Sequence, residues 1–168
     1  MKALSFFLIL FLGVSTLYGQ DKKDRPSPPR TASAELASGE VVIDYSSPGV
    51  KDRVIWGELV PYDKIWRTGA NEATTIMLEN DMKIEGKLIP AGKYALFTIP
   101  GKDEWTVILN SEWDQWGAYN YNQSKDVHRF TAKPRMVDEN QERLAFNITE
   151  DGMVMMKWEK LELPFQIE

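Results

Sequence analysis

The sequence predicts an all-β domain, an antiparallel β-sandwich, with a jelly roll as the candidate sub-type. Three observations lead there. Apolar residues recur with a period of two in run after run, the pattern of half-buried strands. The runs are short, and turn residues separate them at fairly even spacing. No stretch long enough for a stable helix carries the periodicity of an amphipathic one.

Residues 1–20 read as a secretory signal peptide. Lys2 is followed by an apolar run from Ala3 to Leu12, then by small and polar residues up to Gly19 and Gln20, where cleavage is expected. The apolar run is shorter than the roughly 20 residues that span a bilayer. The protein is therefore expected to be exported, periplasmic or secreted, with no membrane span after cleavage. Residues 21–30, DKKDRPSPPR, have little apolar surface to bury and are expected to form a flexible lead-in. One domain is expected over 31–168, a length sufficient for a single core.

Within that domain the alternation predicts strands at 31–37, 40–46, 73–79, 82–89, 92–99, 104–110 and 127–133. Ser38-Gly39, Asn80-Asp81, Pro90-Ala91-Gly92 and Pro100-Gly101-Lys102-Asp103 supply the turns between them. Leu144, Phe146 and Ile148 share one face of a further strand, and Val154, Met156 and Trp158 one face of the next. Asp151-Gly152 between them tolerates the positive φ angles of a tight hairpin. A last strand places Leu161, Leu163, Phe165 and Ile167 on one side. Pro164 cannot donate to a ladder, which marks this strand as an edge or a bulge.

Composition narrows the function. Loss of residues 1–20 removes Lys2 and no acid, leaving 19 basic against 25 acidic side chains. That balance argues against nucleic acid, which requires a basic face to displace counterions. The absence of cysteine excludes disulfides, thiolate metal sites and a cysteine nucleophile. A serine triad needs a histidine, and the single one, His128, lies in the strand-like run VHRFTAK, where a partly buried structural role fits its pattern. Neither a G-x-S-x-G elbow nor an S-x-x-K motif occurs. One histidine without cysteine makes a zinc site improbable, and no cofactor is expected.

Two stretches break the strand pattern, residues 47–70 and 111–126, and long connections in compact domains tend to carry function. In IWRTGANEATT, Arg67, Asn71 and Glu72 surround a glycine turn. Arg67 offers a planar fork of donors, so the cluster reads either as a ligand site or as a clasp in which Arg67 pairs with Glu72 or Asp44. In SEWDQWGAYNYNQSKD, Trp113, Trp116 and Tyr119 stand among amides and carboxylates, a combination that suits sugar rings. The alternative is that these aromatics cap the core. Asp44, Arg53 and Asp114 are supporting candidates, with a turn cap the favoured reading of Asp44.

Read together, RPSPPRT, DYSSPGVKDRVIWGELVPYDKIWRTGANEATT, LIPAGKYALFTIPGKDEWTVILN and WGAYNY resemble the domain of unknown function 2911 family of exported bacterial proteins. The resemblance runs from about Arg25 to the C-terminus. It implies no activity and no catalytic residue. The expected function is accordingly a non-enzymatic exported module that binds a small polar ligand, a carbohydrate or cell-envelope component, at the two irregular stretches. Two further readings stand beside it: a hydrolase using carboxylates near Glu72 and Asp114, and a structural partner protein whose last strand, 161–168, pairs with another chain.

Overall fold

The computed structural model describes residues 25–168, so the signal-peptide reading of residues 1–20 lies outside the described residues. Ten strands follow in chain order: β1 (Pro29–Leu36), β2 (Gly39–Ser46), β3 (Thr75–Leu78), β4 (Met82–Ile84), β5 (Lys87–Ile89), β6 (Gly92–Ile99), β7 (Trp105–Asn110), β8 (Asp126–Ala132), β9 (Arg135–Ile148) and β10 (Met153–Gln166). Six form one antiparallel sheet in the order β1-β2-β3-β6-β7-β8, while β9-β10 and β4-β5 are separate hairpins. The architecture is all-β and agrees with a sandwich. The large sheet is a sequential meander, which differs from the interleaved strand order of a jelly roll.

The core lies between the large sheet and the β9-β10 hairpin. Val41 and Ile43 of β2, Ile76 and Leu78 of β3, Leu96 of β6 and Val107 and Leu109 of β7 point inward from the sheet. Val154, Met156, Trp158, Leu161, Leu163 and Phe165 of β10 meet them. The irregular stretch 47–70 contributes as well. Trp66 stacks on Trp158 with ring centroids 5.8 Å apart, and Trp56 meets Trp105 edge-on at 5.0 Å. The tryptophan that precedes Arg67 is thus a core anchor, and its indole N–H donates to the Gly69 carbonyl at 3.1 Å.

Three expectations about the strands are corrected. The run 82–89 is two short strands, because Glu85 and Gly86 both take positive φ and turn the chain back on itself. The two C-terminal strands are one continuous strand, β10, interrupted by a bulge. Glu159, at φ 57°, sits where the register with β9 shifts, and the buried positions change parity there, from 154, 156 and 158 to 161, 163, 165 and 167. Pro164 lies beyond Glu162, the last residue paired with β9. β9 begins at Arg135, well before the predicted 144, since its first half is polar and largely exposed and carries no alternation.

The lead-in is also corrected from Arg25 onward. The Pro28 carbonyl accepts from Ser47 N–H at 2.9 Å, the Ser27 carbonyl from Asn71 Nδ2 at 3.1 Å and the Pro26 carbonyl from Arg143 at 3.2 Å. Proline-rich sequence lowers the entropy lost on ordering, and these three acceptors fix the strap against the domain.

Candidate ligand-binding site

The outer face of the large sheet, opposite the core, is where the irregular stretches converge. Strand register places Thr31, Asp44, Thr75, Ala95 and Asn110 in one row across β1, β2, β3, β6 and β7. The half over β6 and β7 is apolar. There Ala95, Phe97 and Ile108 pack with Ala73, Ile65, Ala118 and Tyr121, which seats both irregular stretches on the sheet. The half over β1, β2 and β3 is polar and is not covered in this way.

A short ladder joins the two stretches above that row. Ala73 N–H donates to the Gln115 carbonyl at 3.0 Å and Gly117 N–H to the Asn71 carbonyl at 3.0 Å, with Glu72 opposite Trp116. A buried network anchors the far end of residues 111–126. Asp126 accepts from the Tyr121 hydroxyl at 2.7 Å, from Asn110 Nδ2 at 2.8 Å and from Arg129 at 2.8 Å. Burial, with the Asp126 hydrogen bond and charge behind it, pushes the Tyr121 phenol up to about 12 against the opposing Arg129.

Where this roof stops, a cavity of about 330 Å³ opens over the polar half of the row. Its floor is Thr31, Asp44 and Thr75; Lys93, Trp113, Asp114, Gln115, Glu72, Arg25 and Arg30 stand around it. The Thr31 hydroxyl donates to Asp44 at 2.7 Å, and Lys93 Nζ lies 3.7 Å from the other Asp44 oxygen and 4.9 Å from the centroid of the Trp113 ring. Arg25 donates to both Glu72 oxygens at 2.9 Å. Gln115 Oε1 is shielded from solvent without a hydrogen-bond partner among the described residues, and a buried acceptor of this kind calls for a donor.

Residues 27–167 match a family model described as Protein of unknown function (DUF2911). The chain belongs to the DUF2911 family. No curated protein and no solved structure matches it.

In this DUF2911 protein the structure brings four of the sequence-derived candidates, Glu72, Trp113, Asp44 and Asp114, to one cavity. The others fall elsewhere. Asn71, at φ 57°, ties the lead-in strap through Ser27. Arg53 donates to the Gly49 and Val50 carbonyls and closes its own loop. Trp116 and Tyr119 are exposed, at 54% and 83%, on the roof beside the cavity. Arg67 lies beneath the roof, and the clasp with Glu72 or Asp44 does not form, because Arg25 holds Glu72 and Lys93 holds Asp44.

Sequence reasoning missed Arg25, Arg30, Thr31, Thr75 and Lys93. A signal existed for Thr31 and Thr75, outward-facing polar residues on strands flanking Asp44. None existed for Arg25, whose partner Glu72 is 47 residues away. Among the described residues, no group of three or more histidine, aspartate or glutamate side chains could hold a metal ion. No helix among them is long and apolar enough to cross a membrane.

Proposed function

We propose that this protein is an exported binding module whose cavity on the outer sheet face takes a saccharide. One observation carries the reading: an exposed aromatic ring, Trp113, stands at the edge of a cavity floored by Thr31, Asp44 and Thr75. A sugar ring offers an apolar C–H face to an indole and a rim of hydroxyls to acceptors and donors of both kinds. Asp44 and Gln115 Oε1 supply acceptors, Lys93 and Arg30 supply donors, and the volume lies in the range of small-ligand sites. Export rests on the signal-like N-terminus, and the strap from Arg25 to Pro28 would then pin the start of the mature chain beside the site.

The test is a thermal-shift screen of mono- and oligosaccharides on the mature domain and on Trp113→Ala. A ligand at about 100 times its Kd adds about 2.7 kcal/mol, a rise of roughly 8 °C for a domain of this size. Trp113 is 42% exposed and sits outside the core, so the variant should keep its own midpoint and lose the ligand-induced rise. Shifts identical in both proteins would remove the cavity from the reading.

A second reading, a carboxylate-dependent hydrolase, is favoured by the placement of Glu72 and Asp114 on the same cavity. It requires turnover that Glu72→Gln abolishes while the fold survives. Saturable stabilisation without product separates the binding module from the enzyme.

A further inference from the structure

Arg67 has a physical situation that the fold does not account for. Its Nε is shielded from solvent and faces no acceptor. Among the described residues no ion pair includes it, and Glu72 and Asp44 pair with Arg25 and Lys93. A guanidinium nitrogen buried without a partner costs stability, so packing alone gives no reason for a cation here.

The loop that presents Arg67 is strained and locked. Thr68, buried and β-branched, takes φ 54°, and Asn71 takes φ 57°; for threonine this is an outlier held only by its surroundings. The Thr68 hydroxyl meets the Thr98 hydroxyl at 3.2 Å, and the Thr68 carbonyl accepts from the Thr74 hydroxyl at 2.8 Å. Gly69 is obligatory, because a methyl group there would come within 2.8 Å of Thr74 Oγ1. Above the loop, Gly117 (φ 67°) admits two neighbours at once. A methyl group on it would come within 3.4 Å of Arg67 Nη1 and 3.0 Å of the Tyr119 ring. The guanidinium therefore lies against the buried Gly117, between the exposed side chains of Trp116 and Tyr119.

We propose that Arg67 is an oxyanion-binding residue that takes the carboxylate of an acidic sugar unit while a neighbouring unit of the same glycan occupies the cavity. The guanidinium fork matches a carboxylate in a bidentate manner, and Trp116 and Tyr119, exposed at 54% and 83%, flank the Gly117 that lies against it. This inference rests on the saccharide reading of the cavity and adds the charge class and minimum length of the ligand.

The probes are tri-galacturonate, its methyl ester and inorganic sulfate, at matched ionic strength. Binding is followed by calorimetry and by the Arg67 Nε–H signal in a proton–nitrogen correlation spectrum. The acid is expected to bind at least tenfold tighter than the ester and to shift the Nε–H signal. Arg67→Gln should bring the acid down to the ester's affinity, whereas Trp113→Ala should weaken both forms and keep their ratio. If Arg67→Gln does not fold, Arg67→Lys serves, with a loss of at least fivefold for the acid expected from the missing fork. Failure of the cavity reading appears as a Trp113→Ala protein that binds both forms like the wild type. Equal affinity for acid and ester, an unmoved Nε–H signal, or no binding of either form overturns the Arg67 proposal. Sulfate binding as tightly as the acid also overturns it, leaving a free-oxyanion site in its place.

Discussion

Asp126→Ala tests how the roof of the site is built. The Asp126 side chain is 6% exposed and accepts three hydrogen bonds, from Tyr121, Asn110 and Arg129. A hydrogen bond to a charged group contributes about 1.5–3 kcal/mol, but the three do not add. Asn110 Nδ2 keeps the Asn122 carbonyl at 2.9 Å, and Arg129, one-third exposed, finds water, so its share is discounted for screening. The expected loss is about 3 kcal/mol, at the low end for breaking a buried pair, or roughly 10 °C in the midpoint. Asp126→Asn keeps an acceptor and should cost about 1 kcal/mol less. Urea unfolding gives the energies, and tyrosinate absorbance gives an independent readout. With the Asp126 contributions gone and Arg129 retained, the Tyr121 phenol should ionise below the value of about 12 that it has in the intact network. A loss under about 1 kcal/mol, or an unchanged tyrosine titration, would refute the assignment of Asp126 as the anchor of residues 111–126.

Two further outcomes follow from the core. Phe165 is 3% exposed, so Phe165→Ala should cost about 3–5 kcal/mol in urea unfolding; deletion of residues 163–168 should unfold the domain, and a folded deletion protein that merely fails to associate would favour the partner-strand reading. His128 is buried, with Nε2 3.0 Å from the Ile84 carbonyl, and burial lowers its pKa from 6.5, with Lys87 lowering it further and the Ile84 carbonyl and Glu85 opposing. The unfolded chain then binds the proton more readily, so stability should fall as pH drops through and below about 6.5. His128→Gln should flatten that slope in midpoint-against-pH measurements.

Much of the fold was legible because it is local. β2, β6 and β7 were read to within a residue at each end, since each is a short apolar-rich run bounded by turn residues. The Glu85-Gly86 turn was not legible, because Met82, Ile84 and Ile89 all enter the core and read as one run. The bulge at Glu159 made one strand look like two by flipping parity, a change that sequence registers only as a break. At the site, Glu72, Trp113 and Asp114, singled out by residue type, line one cavity. Pairing did not follow. Arg67 is five residues from Glu72, yet the cation that reaches that carboxylate is Arg25 from the strap. A pairing across such separation is decided by which surfaces the fold brings together.

The position of the cavity follows from an asymmetry in that fold. β1, β2 and β3 turn their apolar residues mainly to the face that meets β9 and β10, so the outer face there has too few apolar residues to hold a second full layer. Ala95, Phe97 and Ile108 seat the irregular stretches over β6 and β7. Toward β1 the same row turns to Thr75, Asp44 and Thr31, and the roof ends at Trp113. A sheet evolved only to be covered would continue the apolar row; one left to solvent would have no need of an indole at its edge or of Gln115 Oε1 buried without a donor. A floor of hydroxyl and carboxylate groups under an aromatic ring serves a partner that is polar at its rim and apolar on its face. Arg67, held against Gly117 by a strained loop, extends that requirement to a partner carrying negative charge.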